Sequence, residues 1–198
     1  MCSAKWLPEK SSNRCHHRPS SYLSSIYPVR FRLLEFTPIG KVVKSKAEMK
    51  TLLNVHDRVE VLDRLANLRP DSQRKWGTMS AHQMICHLSD SLRAAVGERY
   101  VSPATSLFKK AILKPLALWV PVAWPHGYKT RPELDQQQRG TTPVQFSSDV
   151  ETLQRLFERF CTIDGEYAPH PMFGQLSKAE RMRHGYLHFD HHLRQFGV

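Results

Sequence analysis

The chain of 198 residues is 40% hydrophobic and 24% charged, values that are normal for a soluble globular protein of one domain with a tail. Its net charge of +11 is uneven, because residues 1–48 carry nine Lys or Arg against three acids, whereas residues 49–198 carry twenty against fifteen. This distribution weighs against nucleic-acid binding by the folded part, which would need basic residues clustered on one face.

Cysteine usage and hydropathy favour the cytoplasm and exclude a membrane span. Cys2, Cys15, Cys86 and Cys161 form no C-x-x-C pair, so we expect reduced thiols and no disulfide framework. The first thirty residues contain no apolar run typical of a secretory signal. The most apolar window, residues 111–124, is interrupted by charge and proline and is shorter than the about 20 residues that a bilayer-spanning helix needs.

Residues 1–46 are predicted to be a mostly disordered basic tail, because serine and basic residues follow one another there without sustained periodicity. Residues 47–198 form the predicted domain. Its first helix is expected to begin at Ala47 and to end before Pro70, since apolar residues recur every three or four positions. These are Met49, Leu52, Val55, Val59, Leu62 and Leu65.

A second helix is predicted from the capping box formed by Ser80 and Gln83, and it extends to about residue 98 with His87 at the edge of its apolar stripe. Residues 100–146 follow as a long connection with six prolines. A short helix is expected there over residues 108–118, broken near Pro115.

Two further capping boxes predict the remaining long helices. Ser148 stands three residues before Glu151, and Ser177 stands three residues before Glu180. Gly185 inside the last helix costs about 1 kcal/mol relative to alanine, which tertiary packing must offset. Four long helices without an alternating strand pattern predict an all-α four-helix bundle with a long crossover connection between helices two and three.

The last predicted helix carries a column of histidines at positions 184, 188 and 192, one turn apart. Neutral imidazoles at this spacing can point two nitrogens at one cation, and a stable site needs a further ligand from elsewhere in the chain. The crossover would place His87 near His188 and His192. The alternative for this pair is that the histidines pack and hydrogen-bond in a polar bundle interior.

Several stretches resemble a known family. They are residues 76–88 (WGTMSAHQMICHL), 129–133 (KTRPE), 171–174 (PMFG) and 188–197 (HFDHHLRQFG). Through them residues 49–198 resemble the DinB-like superfamily and, within it, a DUF1569-type subgroup of uncharacterised proteins.

The resemblance implies a bundle in which a divalent metal (Zn, Ni or Fe) is held by His87, His188 and His192. Characterised relatives include metal-dependent thiol S-transferases and a thiol-dependent isomerase. Three neutral imidazoles leave coordination positions open, which is typical of a catalytic metal site. The expected activity is therefore activation of a low-molecular-weight thiol or of water, for transfer to or hydrolysis of a small-molecule substrate.

Further side chains are expected around this centre. Asp90 and Gln195 are placed to accept hydrogen bonds from the imidazoles and so to set their tautomers, although Asp90 could equally face water. Four aromatic side chains line a pocket mouth in one interpretation and pack in the core in the other. They are Trp76, Trp119, Trp124 and Tyr128.

Two hypotheses of function remain open at this point. The first is a metal-dependent enzyme of the kind just described. The second is a bundle that binds a metal or a ligand without turnover, with a basic tail that docks to nucleic acid. Whether two bundles pair as a homodimer is not decided by the sequence.

Overall fold

The computed structural model describes residues 49–104 and 107–198, and over these ranges the chain is all-α, as predicted. The described ranges contain no β-strand, only an isolated bridge between His170 and Gly174. The predicted basic tail, residues 1–46, lies outside the described residues. The elements in chain order are α1 (Val55–Ala66), α2 (Ala81–Ala95), α3 (Leu107–Trp119), a 3₁₀ turn (Pro132–Leu134), α4 (Phe146–Thr162) and α5 (Lys178–Gln195).

The predicted capping boxes of α2 and α5 are confirmed. In α2 the Ser80 hydroxyl accepts the backbone N–H of Gln83 at 3.1 Å, and the Gln83 side chain accepts that of Ser80 at 2.9 Å. In α5, Ser177 and Glu180 exchange the same pair of hydrogen bonds at 3.2 and 2.9 Å. Each box satisfies two N–H groups that the first turn of a helix leaves without partners.

The remaining predicted box, Ser148 with Glu151, is wrong. Helix α4 begins at Phe146, so Ser148 lies inside its first turn, where its hydroxyl donates to the carbonyl of Gln145 at 3.3 Å. Phe146 packs against the hydrophobic core, and the helix therefore starts at this anchor before the polar pair is reached. Burial of an apolar side chain outweighs a local capping signal here.

Helix α1 begins at Val55 and not at Ala47. Asn54 caps its first turn by accepting a backbone N–H. The preceding segment enters the core as irregular chain: Leu52 is fully buried, and its backbone N–H donates to the carbonyl of Met182 on α5 at 3.3 Å. An apolar residue at helical spacing can thus be buried without belonging to the helix.

The apolar stripe predicted for α1 is also shifted. Val55 and Val59 are 67% and 50% exposed, so the face they share points to solvent. The buried face of α1 carries Asp57, Val61 and Leu65.

Helix α2 packs against α4, whereas α1 and α3 both pack against α5. The predicted break of α3 near Pro115 is wrong, because the helix continues through this residue to Trp119. The ring removes one hydrogen bond from the helix. Packing of the fully buried Leu118 with Phe173 and Leu176 stabilises the last turn beyond it. None of the helices in the described ranges combines the length and hydropathy needed to cross a bilayer.

The glycine inside α5 is explained by close packing. A Cβ placed on Gly185 would lie 2.8 Å from Cδ1 of Leu52 and 3.0 Å from Cε1 of Phe160. Both neighbours are buried in the core and have little room to move. The absence of a side chain at position 185 lets α5 approach them.

We predict that Gly185→Ala lowers the free energy of unfolding by about 1 kcal/mol, measured by urea denaturation. Alanine favours a helix by about 1 kcal/mol over glycine, but overpacking a core costs about 1–3 kcal/mol. The control is Gly165→Ala, whose added Cβ meets no atom within 4 Å. Its unfolding free energy should stay within about 0.5 kcal/mol of wild type. Equal stability of the two variants would contradict the close approach.

Candidate metal centre

Three imidazoles converge between α2 and α5. His87 extends from α2, while His188 and His192 extend from successive turns of α5. Nε2 of His87 lies 3.2 Å from Nε2 of His188, and each of the three residues offers a ring nitrogen within 4.8 Å of the other two. The structure therefore brings together the three side chains that the sequence singled out.

The hydrogen bond of His87 determines its tautomer. Its Nδ1 lies 2.8 Å from the carbonyl oxygen of Leu134, in the 3₁₀ turn. A carbonyl can only accept, so Nδ1 carries the hydrogen. In the neutral ring Nε2 is then left with its lone pair, and this lone pair faces His188.

The tautomer of His192 follows from a longer chain of hydrogen bonds. The side-chain amide of Gln195 donates to the carbonyl of Trp76 at 2.8 Å, which orients the amide. Its Oε1 then faces Nδ1 of His192 at 3.0 Å and accepts its hydrogen. Nε2 of the neutral ring is again free to donate a lone pair, as in metal sites where the other nitrogen of a ligating histidine is hydrogen-bonded.

Burial keeps these rings neutral. Desolvation is the largest effect on all three, and it lowers the pKa of His87 below its usual value and the pKa of His188 and of His192 well below it. The mutual proximity of His87, His188 and His192 adds to the effect, because a positive charge on one ring disfavours a charge on the next. Neutral imidazole is the form that binds a metal.

The spacing of the rings fits a divalent ion. Metal–nitrogen distances of about 2.0–2.1 Å with tetrahedral angles place two ligating nitrogens about 3.3 Å apart. The separation of 3.2 Å between Nε2 of His87 and Nε2 of His188 is close to this value. The two nitrogens lie at hydrogen-bonding distance, and a bound ion would take the place of the hydrogen between them.

Asp90 makes no hydrogen bond to His87, in contrast to the expectation from sequence. Its carboxylate is fully buried and accepts hydrogen bonds from the backbone N–H of Thr141 at 2.7 Å and from Arg99 at 3.0 Å. Arg99 in turn donates to the carbonyl of Glu133 at 2.8 Å. Because Glu133 precedes Leu134, Asp90 supports His87 indirectly, by anchoring the segment that supplies its hydrogen-bond acceptor.

The four aromatic residues do not pack in the core, so that interpretation is wrong. Trp119 and Tyr128 are 42% and 61% exposed, while Trp76 and Trp124 are half-buried. Of the four, only Trp76 and Trp124 have a ring contact with a histidine among the described residues. The Trp76 ring lies edge-on to His191 at 6.0 Å between centroids, and the Trp124 ring centroid lies 6.3 Å from that of His188.

Sequence reasoning missed His170, which adjoins the centre through His184, and His126, which lies outside the centre against Trp76. The His170 ring contacts His184 at 4.4 Å between centroids, and His184 lies 5.6 Å from His188. On the other side His126 stacks on Trp76 at 4.0 Å. Burial lowers the pKa of His184 to about 3, so this ring is also neutral. His170 directly precedes the PMFG stretch at 171–174, which was the available signal for it.

We predict that Asp90→Asn lowers the free energy of unfolding by about 3 kcal/mol, because it leaves Arg99 without its buried anionic partner. Chemical denaturation provides the measurement. The matched control is Asp190→Asn, which removes partly exposed pairs with Arg64 and Arg194 at 2.8 and 3.1 Å. Such pairs contribute about 1 kcal/mol or less. A smaller loss at Asp90 than at Asp190 would contradict the anchoring role.

Comparison with known proteins gives one family. None of the curated proteins and none of the solved structures compared with the chain gives a significant match. A family model described as "Protein of unknown function (DUF1569)" matches residues 47–197, the whole region that contains the helices and the three-histidine centre. Since this match covers well over half of the sequence, the protein belongs to the DUF1569 family.

Proposed function

We propose that His87, His188 and His192 hold a divalent metal ion and that the protein is an enzyme that uses it to activate a thiol or water toward a small electrophilic molecule. The observation that carries the proposal is the pair of tautomers at His87 and His192. In both rings a hydrogen bond at Nδ1 leaves Nε2 with a free lone pair, and one ring nitrogen of each of the three histidines lies within 4.8 Å of those of the other two.

A dipositive ion held by three neutral imidazoles keeps coordination positions open and lowers the pKa of a water or thiol that binds there. The protein residues contribute orientation. Leu134 and Gln195 favour one ring orientation and one tautomer of His87 and His192, since a change in either would break a hydrogen bond of about 1 kcal/mol. Preorganised ligands of this kind reduce the cost of binding an ion.

The surroundings of the centre favour a small molecule with an apolar part. Trp124 and Phe173 both contact the ring of His184, at centroid distances of 5.4 and 5.7 Å. The neighbouring ring of His170 is neutral, because burial lowers its pKa well below the usual value. Aromatic and uncharged walls beside a metal that activates a nucleophile bind apolar substrate atoms by burial of surface.

The proposal extends to the fold and the compartment. The long helices α1, α2, α4 and α5 would form a DinB-like four-helix bundle, with residues 96–145 as the crossover between α2 and α4. The packing of α2 on α4 and of α1 on α5 supports this arrangement.

Cys86 and Cys161, the cysteines among the described residues, are free thiols, in line with a reducing cytoplasm.

We predict that purified protein contains bound divalent metal and that His87→Ala, His188→Ala and His192→Ala each lose about one equivalent of it per chain. The reason is that two imidazoles hold an ion far less tightly than three. Elemental analysis after desalting provides the measurement. The control is His126→Ala, which removes an exposed ring that stacks on Trp76 and should keep the metal content of wild type. Metal content unaffected by all three substitutions would defeat the proposal.

A second prediction concerns the group that orients His192. Gln195→Ala frees Nδ1 of that ring, and loss of such a partner weakens metal affinity about 10–100-fold. Competition with a chromogenic chelator measures this change. Gln154→Ala is the control, since Gln154 is exposed on α4. Equal affinity of the two variants would show that the amide does not orient the ligand.

A further inference from the structure

A second group of metal-ligating side chains lies between α2 and α4, apart from the three-histidine centre. Nε2 of His82 is 2.7 Å from Oδ2 of Asp149, and Sγ of Cys86 is 3.8 Å from the same oxygen. The three residues each offer one ligand atom within 4.8 Å of the other two. The proposed enzymatic function uses none of them.

The fold places these side chains together for simple reasons. His82 and Cys86 lie one turn apart on α2 and therefore share a face, and Asp149 lies in the first turn of α4, which packs on α2. His87 follows Cys86 directly but points about 100° away around the helix, toward α5. Helix α2 thus directs His82 and Cys86 toward α4, and His87 toward the three-histidine centre.

We propose that His82, Cys86 and Asp149 form a second metal site, one that takes a borderline-soft divalent cation such as Zn²⁺ and links α2 to the start of α4. The donor set of imidazole nitrogen, thiolate sulfur and carboxylate oxygen is the set that Zn²⁺ uses in proteins. The side chains of His82 and Asp149 are 22% and 21% exposed, so solvent reaches the group and can supply a fourth ligand.

The distances are compatible with an ion after one small adjustment. Metal–ligand bonds of about 2.0–2.3 Å place tetrahedral ligands about 3.3–3.6 Å apart. The separation of 3.8 Å between Cys86 Sγ and Asp149 Oδ2 is near this range, whereas the 2.7 Å between His82 and Asp149 is that of a hydrogen bond and must lengthen. His82 can make this change, because its ring contacts Phe146 only edge-on, at 5.4 Å between centroids.

The carboxylate is already held in position. The backbone N–H of Val144 donates to Oδ2 of Asp149 at 3.1 Å, a contact of the kind that supports metal-ligating carboxylates. On binding, the Cys86 thiol releases its proton to solvent, and the hydrogen that His82 donates from Nε2 to Asp149 moves to Nδ1, which leaves Nε2 free to bind the ion. The ion then takes the place of the hydrogen between His82 and Asp149.

The alternative is that the hydrogen bond from His82 to Asp149 only fastens α4, whose first turn has no side-chain cap. Cobalt titration distinguishes the two, because a thiolate ligand gives a charge-transfer absorption in the near ultraviolet that histidine and carboxylate ligands do not. The full-length chain with Cys2→Ser, Cys15→Ser and Cys161→Ala keeps Cys86 as its single cysteine. Circular dichroism verifies that each variant is folded.

We expect this single-cysteine chain to bind about two equivalents of Co²⁺, one at each centre, and to gain the charge-transfer band as the site with Cys86 fills. Displacement of the cobalt by Zn²⁺ should abolish the band. Adding Cys86→Ser should abolish the band, and Asp149→Asn should shift its appearance to higher cobalt concentration. The same test can be made in the otherwise unmodified chain with two single substitutions. The charge-transfer band should be lost in Cys86→Ala and kept in Cys161→Ala.

His188→Ala separates this site from the three-histidine centre. In the single-cysteine chain this substitution should remove one equivalent of bound cobalt and leave the charge-transfer band intact. The proposal is overturned if folded single-cysteine protein saturated with Co²⁺ shows no band, if the band survives Cys86→Ser, or if it disappears with His188→Ala. Loss of metal from the His188→Ala variant with no band in any chain would support the enzyme proposal alone.

Discussion

The candidate centre depends on two hydrogen bonds at Nδ1. The carbonyl of Leu134 and the amide oxygen of Gln195 each accept a hydrogen bond from Nδ1 of a buried imidazole, and each leaves Nε2 of that ring with its lone pair in the three-histidine cluster. Without these bonds the rings of His87 and His192 would be free to adopt either tautomer. The three histidines would then be close together, but their ring nitrogens would not be fixed in the form that binds a metal.

Burial reinforces the same arrangement. Desolvation disfavours the charged imidazolium, so rings that would partly protonate in water remain neutral between α2 and α5. Neutral rings can lie within contact distance of one another, whereas imidazolium ions would repel. The low pKa values and the close approach of the histidines are therefore two consequences of one environment.

The connection between α3 and α4 joins this environment to the rest of the fold. Residues 132–141 contain the 3₁₀ turn that supplies the carbonyl for His87, and Asp90 and Arg99 hold this segment by partly buried, charge-assisted hydrogen bonds. Asp90, three residues after His87 on the same helix, thus acts on His87 through a loop that lies much further along the chain. Helix α2 contributes both the ligand and the anchor of the loop that orients it.

Local patterns predicted the helices well where capping and periodicity agreed. Ser80 with Gln83 and Ser177 with Glu180 set the starts of α2 and α5 as expected, because a capping box is a local set of hydrogen bonds. Val55 and Val59 were misplaced, since their spacing suits a buried face, but α1 turns a different face to α5. Periodicity shows that a helix is amphipathic and cannot show which neighbours it meets.

The amino-acid sequence by itself determined the helical class, the column at His188 and His192 and, through its motifs, the third histidine at position 87. Only the tertiary structure decided which atoms hold these rings. Leu134 acts through a main-chain carbonyl, and a carbonyl is present at every residue, so no side-chain pattern can mark it. The pairing of His82 and Cys86 with Asp149 was hidden for a related reason, because it arises only when two helices distant in sequence pack face to face.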